Sequence, residues 1–164
     1  MKNHPKIKVP ATKWEKFFNL TSVIILICSI VYVVQAYNSL PESVPTHFNA
    51  KGEADAWGNK GTVLLMPGIA FVSFIIMYFV TKVPHTFNYM VRVTEENAPR
   101  LYALARTFMA AINLEMVAIF SYIAWAMVQS ANSGTGLGIS FVFFVIIVPI
   151  ATIISFMIKM NRVK

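Results

Sequence analysis

The chain of 164 residues has one cysteine, Cys28, and only seven acidic residues. A single thiol makes no intrachain disulfide, so no cystine framework supports a loop, and Cys28 lies in an apolar run where a small packing residue is expected. Acids are scarce, and no Ser–His–Asp order, His-Glu-x-x-His motif, phosphate-binding glycine loop or paired intramembrane acids occur. No established catalytic constellation is therefore on offer, which favours binding over catalysis. Charged residues make up 13% of the chain and hydrophobic ones 57%. In an ordinary soluble domain charged residues reach about 25%. The chain also lacks an internal repeat and a low-complexity tract.

What it has are four apolar runs, at residues 17–37, 62–81, 107–128 and 138–158. A hydrocarbon core of ~30 Å needs about twenty apolar residues at 1.5 Å rise per residue, and each run meets that length. Basic residues before a first apolar run, with Val34-Gln35-Ala36 as a cleavage-like tripeptide, resemble a signal peptide. The run is longer than the usual 7–15 residues, however, and reads as a retained first span. The expected fold is an all-α membrane protein: a single four-transmembrane-helix bundle over residues 1–164. Pro67-Gly68 and Pro149 are expected to bend the second and fourth spans.

The net charge of +7 is distributed by connection. Lys2, Lys6, Lys8, Lys13 and Lys16 precede span one. Lys82, Arg92, Arg100 and Arg106 lie between spans two and three, and Lys159, Arg162 and Lys164 follow span four. Only Lys51 and Lys60 occupy the first loop. The positive-inside rule then puts both termini and the 82–106 loop in the cytoplasm, with the 38–61 loop outside. The basic residues mark topology and contact with anionic lipid rather than nucleic acid. Arg106 is expected to snorkel to the inner headgroups. Thr94-Glu95-Glu96-Asn97 and Pro99 mark the start of the third helix, and the Ser/Gly-rich stretch at 129–137 reads as a flexible turn.

The outer loop holds most of the polar chemistry. Pro41 and Pro45 stiffen its first arm, and a short extended segment at 44–49 puts His47 and Asn49 on one side and Phe48 on the other. Asn49-Ala50-Lys51-Gly52 supplies a turn, and the returning arm offers Glu53 and Asp55 on one side. Such a hairpin gathers an imidazole, an amide and two carboxylates, with Phe48 and Trp57 anchoring its underside at the interface. Three uses fit: a divalent metal such as zinc or manganese on His47, Glu53 and Asp55; recognition of a ligand or partner; or hydrogen bonds within the loop itself. One histidine without a repeated ligand pair is not a diagnostic metal signature.

The run Leu-Pro-x-x-Val-Pro-x-His-Phe-Asn-x-x-Gly-x-x-Asp-x-Trp-Gly-x-Lys, at 40–60 directly after the first span, resembles a family of bacterial membrane proteins. That family carries a domain of unknown function shared with the N-terminal part of SdpI-like toxin immunity proteins. The resemblance implies a plasma-membrane protein active in immunity to, or sensing of, a secreted toxin peptide.

Glu115 falls nine residues past Arg106, about 13 Å along the helix axis and so near mid-membrane. An ionised carboxylate there costs at least ~2.5 kcal/mol and is expected to face the bundle interior. Helical spacing puts Ala111, Glu115, Ala118, Tyr122, Ala126 and Gln129 on a small, polar stripe suited to helix packing. Met109, Met116, Phe120, Ile123 and Met127 fall on a side suited to lipid. Tyr32, Gln35 and Ser73 are the expected partners of Glu115, with Asn113 marking a second helix contact. The leading reading is a non-enzymatic membrane protein whose outer loop binds a toxin peptide, a lipid-linked molecule or another membrane protein. An outward-facing metal-dependent hydrolase is the alternative. A small transporter or accessory subunit is a third reading; as a transporter it requires a homodimer, because four spans leave a cramped path.

Overall fold

The computed structural model describes residues 4–163, so Lys2 and Lys164, two of the charges assigned above to the cytoplasmic side, lie outside the described residues. The elements are α1 (Lys13–Tyr37), an antiparallel hairpin of β1 (Ser43–Phe48) and β2 (Ala54–Asn59), then α2 (Leu65–Val80), α3 (Ala98–Ser133) and α4 (Ile139–Asn161). Short 3-10 turns at Lys60–Leu64 and Pro84–Thr86 lead into and out of the second helix. Counting Lys60–Val80 as one span, the four helices are each long and apolar enough to cross a membrane. The chain is an integral membrane protein.

α1, α3 and α4 extend past their apolar runs into polar residues, whereas α2 stays within its own. The 36 residues of α3 reach about 54 Å at 1.5 Å per residue, well beyond a hydrocarbon core. Its start follows a reciprocal turn: the Thr94 amide donates to the Asn97 side chain, and the Asn97 amide donates back to the Thr94 hydroxyl. This is the pattern of a capping box. Its end is Gly134, with φ 71°, whose amide donates to the Ser130 carbonyl; the left-handed conformation there suits glycine. Pro67 sits in the first turn of α2, where its missing N–H would have no intrahelical partner, so it is accommodated without interrupting the helix. Pro149 lies inside α4.

The third helix organises the bundle, packing against α1, α2 and α4. Its buried face runs through Ala110, Asn113, Val117, Ala124 and Val128. Ser22 and Ser29 on α1 and Ala70 on α2 are buried as well, and such small residues let helix backbones approach. The expected seam through Glu115 and Tyr122 is therefore displaced by more than a third of a turn, and Met127, expected against lipid, is buried. Asn113 is fully buried and donates through Nδ2 to the Phe74 carbonyl at 3.3 Å. The helix contact expected at Asn113 is thus with α2. The fourth helix has no buried residue and leans on α3 through stacked Tyr122 and Phe141 rings, 4.3 Å apart, and the Phe108–Phe156 pair.

The hairpin and the α3–α4 turn occupy one end of the bundle. Residues 4–12, the 81–97 connection and the last turn of α4 gather at the other, where Val9, Tyr89, Met160 and Val163 pack around Leu101 and Tyr102.

Candidate functional site at the hairpin end

The hairpin is mounted on the bundle by β1. Val44 and Pro45 are buried. Val44 joins Leu40, Val33, Val63, Ala124, Met127 and Val128 in one apolar cluster, with Phe48 packed at its margin. Val44 pairs with Gly58 and Pro45 with Trp57, after which the register slips past Thr46 on one strand and Asp55 on the other. Asn49 builds the turn: its Oδ1 accepts from the Lys51 and Glu53 amides, and its Nδ2 donates to Glu53 Oε2 at 3.0 Å. Asn49 and Glu53 are thus occupied with each other and with the loop backbone.

Gly52 completes the turn with φ 80°, a conformation other residues avoid. Its carbonyl accepts from the Leu137 amide at 2.7 Å, and a Cβ on Gly136 would stand 2.0 Å from the same oxygen. The Ser/Gly-rich segment read above as a flexible turn is therefore the surface against which the hairpin tip docks. Glycine is needed at 136 because backbone meets backbone there.

His47 and Asp55 converge across the strands, with Nδ1 2.5 Å from Oδ1 and side chains 67% and 42% exposed. An ionised carboxylate only accepts, so Nδ1 carries the proton in this pair, and in the neutral ring Nε2 is left as an acceptor. Trp57 is 53% exposed. Its ring lies outside the apolar cluster that Phe48 borders. Lys60 pairs with Glu42 at 2.8 Å. Of the expected cluster, then, His47 and Asp55 come together, Glu53 turns to Asn49, and Trp57 stands free. Among the described residues no group of three His, Cys, Asp or Glu side chains is arranged to hold a metal ion.

Glu115 belongs to a different contact. Its Oε1 accepts from the Thr152 hydroxyl of α4 at 2.5 Å, in place of Tyr32, Gln35 or Ser73. Tyr32 instead accepts from Gln129. Oε2 is buried without a hydrogen-bond partner among the described residues. Tyr122 donates to the Leu137 carbonyl and braces the α3–α4 turn rather than the bundle interior. Interhelical hydrogen bonds in bilayers average ~0.6 kcal/mol, so Thr152→Val is expected to lower stability by about that amount. Glu115→Gln, which keeps an acceptor for Thr152, is expected to cost less. Unfolding titrations in mixed micelles measure both.

The sequence reading missed a polar cluster at the opposite end. Arg106 is buried and donates to Glu15 Oε1 at 2.7 Å and to the Val9 carbonyl, with Lys82 Nζ 3.7 Å from the same carboxylate oxygen. It does not snorkel. The available signal was Thr12-Lys13-Trp14-Glu15, a capping-box pattern in which Thr12 does cap the helix. The Glu15 carboxylate, 1% exposed, turns to Arg106 instead. Tyr102 donates to the Pro5 carbonyl, fastening residues 4–12 along the bundle. Burial pushes the Tyr89 phenol above its ordinary range, so it remains a donor to the Pro84 carbonyl.

Residues 24–71, which run from α1 through the hairpin into α2, match the family described as a domain of unknown function (DUF1648). An uncharacterized protein of Archaeoglobus fulgidus is 32% identical over 77 residues, a stretch covering 47% of this chain and 42% of that protein. The chain thus matches less than half the length of that relative. No solved structure matches the chain.

Proposed function

We propose that this protein is a recognition protein of a bacterial cytoplasmic membrane, holding its hairpin at the extracytoplasmic surface and binding a ligand there through His47, Asp55 and Trp57. The sidedness rests on charge. Lys6, Lys8, Lys13, Lys16, Lys82, Arg92, Arg100, Lys159 and Arg162 gather toward the termini end, against Lys51 and Lys60 at the hairpin. Such an asymmetry retains the basic end in the cytoplasm.

The observation that carries the reading is the exposed His47–Asp55 pair on a hairpin fastened both to the core through Val44 and to the second outer loop through Gly52. A polar pair held in place on a rigid hairpin loses little conformational entropy on binding, and the exposed Trp57 of the same hairpin is of a type common among anchors of recognition surfaces. Asn49 and Glu53 shape the turn that presents the pair. A metal-dependent hydrolase, the alternative reading, would need a third ligand or a nucleophile beside His47. A secreted toxin peptide is the ligand class implied by the sequence resemblance of residues 40–60.

Exposed pairs contribute ~0.2–1 kcal/mol, so His47→Ala and Asp55→Ala are expected to leave stability nearly unchanged while removing function. Cells lacking the protein are expected to lose viability in stationary-phase supernatant of their own species. The wild-type gene restores survival, and either variant, present at equal membrane level, does not. Equal survival of all strains would rule out the immunity role.

A further inference from the structure

A groove at the termini end lies apart from the hairpin. The first turns of α1 and α3 and the last turns of α4 diverge there and leave about 400 Å³, within the ~300–1,000 Å³ of small-ligand sites. Phe18, Leu104 and Phe156 form its apolar walls, and Thr12 and Thr107 lie in its lining. The two hydroxyls are already committed: Thr107 donates to the Ala103 carbonyl, which leaves Thr12 to donate to Thr107. Two other donors border the groove without a polar partner among the described residues, the Trp14 indole N–H and the Lys159 ammonium. Lys159 Nζ stands 5.0 Å from the centre of the Phe156 ring, over one wall.

We infer that this groove binds an anionic phospholipid, its acyl chain against Phe18, Leu104 and Phe156 and its phosphate taken by Lys159 and Trp14. The flanks of α1 and α4 face lipid, so an acyl chain of any kind can enter; the selection must come from charge. Lys13 and Lys16 are exposed on the same turn of α1 as Trp14. The acid of that turn, Glu15, is buried and engaged with Arg106. Among the residues lining the groove, Lys159 is the one charge, and with the Trp14 N–H and no carboxylate in the lining to compete it matches a phosphodiester and an aromatic headgroup-level anchor.

The test is native mass spectrometry of the full chain, released from detergent after titration with phosphatidylglycerol or phosphatidylcholine of identical acyl chains. The wild type is expected to retain phosphatidylglycerol under activation that strips phosphatidylcholine. Lys159→Ala combined with Trp14→Phe, both at exposed positions, is expected to reduce that preference by about fivefold or more, corresponding to ~1 kcal/mol for a basic residue at an anionic surface. Leu104→Trp, which fills the groove, is expected to lose the retained adduct. Lys51→Ala at the hairpin removes the same charge elsewhere and is expected to change nothing. Equal retention of the two lipids by the wild type, or a preference that survives in the Lys159/Trp14 double variant, would overturn the assignment.

Discussion

Arg106→Ala is expected to destabilise the bundle by about 3–5 kcal/mol, the cost of leaving a buried charge without its partner. Glu15 is 1% exposed, and Arg106 is its close cation at 2.7 Å. With the guanidinium gone, Lys82 remains at 3.7 Å on a side chain that is itself 40% exposed, too far and too hydrated to replace a charge-assisted hydrogen bond. The Val9 carbonyl loses its donor as well, so residues 4–12 are held chiefly by Tyr102 and the Thr12–Thr107 contact. Replacing both charges at once, with Glu15→Leu and Arg106→Met, removes the orphaned ion and is expected to recover much of the loss. Thermal unfolding in detergent, followed by circular dichroism, distinguishes the variants. An Arg106→Ala protein as stable as wild type would show that the pair is solvated and the cluster energetically idle.

Gly136→Ala is expected to push the two loops of the hairpin end apart. The added Cβ would meet Gly52 O at 2.0 Å, and overlap of this kind costs typically ~1–3 kcal/mol in displaced backbone. Both sides of the contact are main chain, so no rotamer change relieves it. The Leu137 amide then loses its acceptor, and the hairpin tip keeps only its own turn hydrogen bonds. Hydrogen exchange at Leu137 is expected to accelerate in the variant while exchange along α2 stays unchanged. Gly68→Ala is the control, since a Cβ there meets nothing within 4 Å, and it is expected to be neutral.

The spans were legible because apolar length is a property of each segment alone. The hairpin was legible for a similar reason: the prolines, the Asn49–Gly52 turn and the alternation of His47 with Phe48 are local signals. Contacts between segments were not. Nothing near position 136 announces a backbone contact with Gly52, 84 residues earlier, because glycine in a Ser/Gly-rich stretch reads equally well as flexibility. Arg106 at the end of an apolar run looks like a snorkelling residue until Glu15, on another helix, is placed beside it. The face of α3 was misassigned because Glu115 was given more weight than Asn113. Yet Glu115 reaches a hydroxyl on the peripheral helix α4, whereas the smaller Asn113 side chain fits the tight contact with α2.

The sidedness of the hairpin is what the functional account depends on most. In a Cys28→Ser background, Ala56→Cys places a thiol on the exposed strand beside His47, and Glu96→Cys places one on the connection at the other end. Intact cells are treated with a membrane-impermeant maleimide before and after permeabilisation. The account predicts that position 56 is labelled in intact cells and position 96 only after permeabilisation. Labelling of position 96 in intact cells, with position 56 protected until the membrane is opened, would contradict it and turn the His47–Asp55 pair toward the cytoplasm.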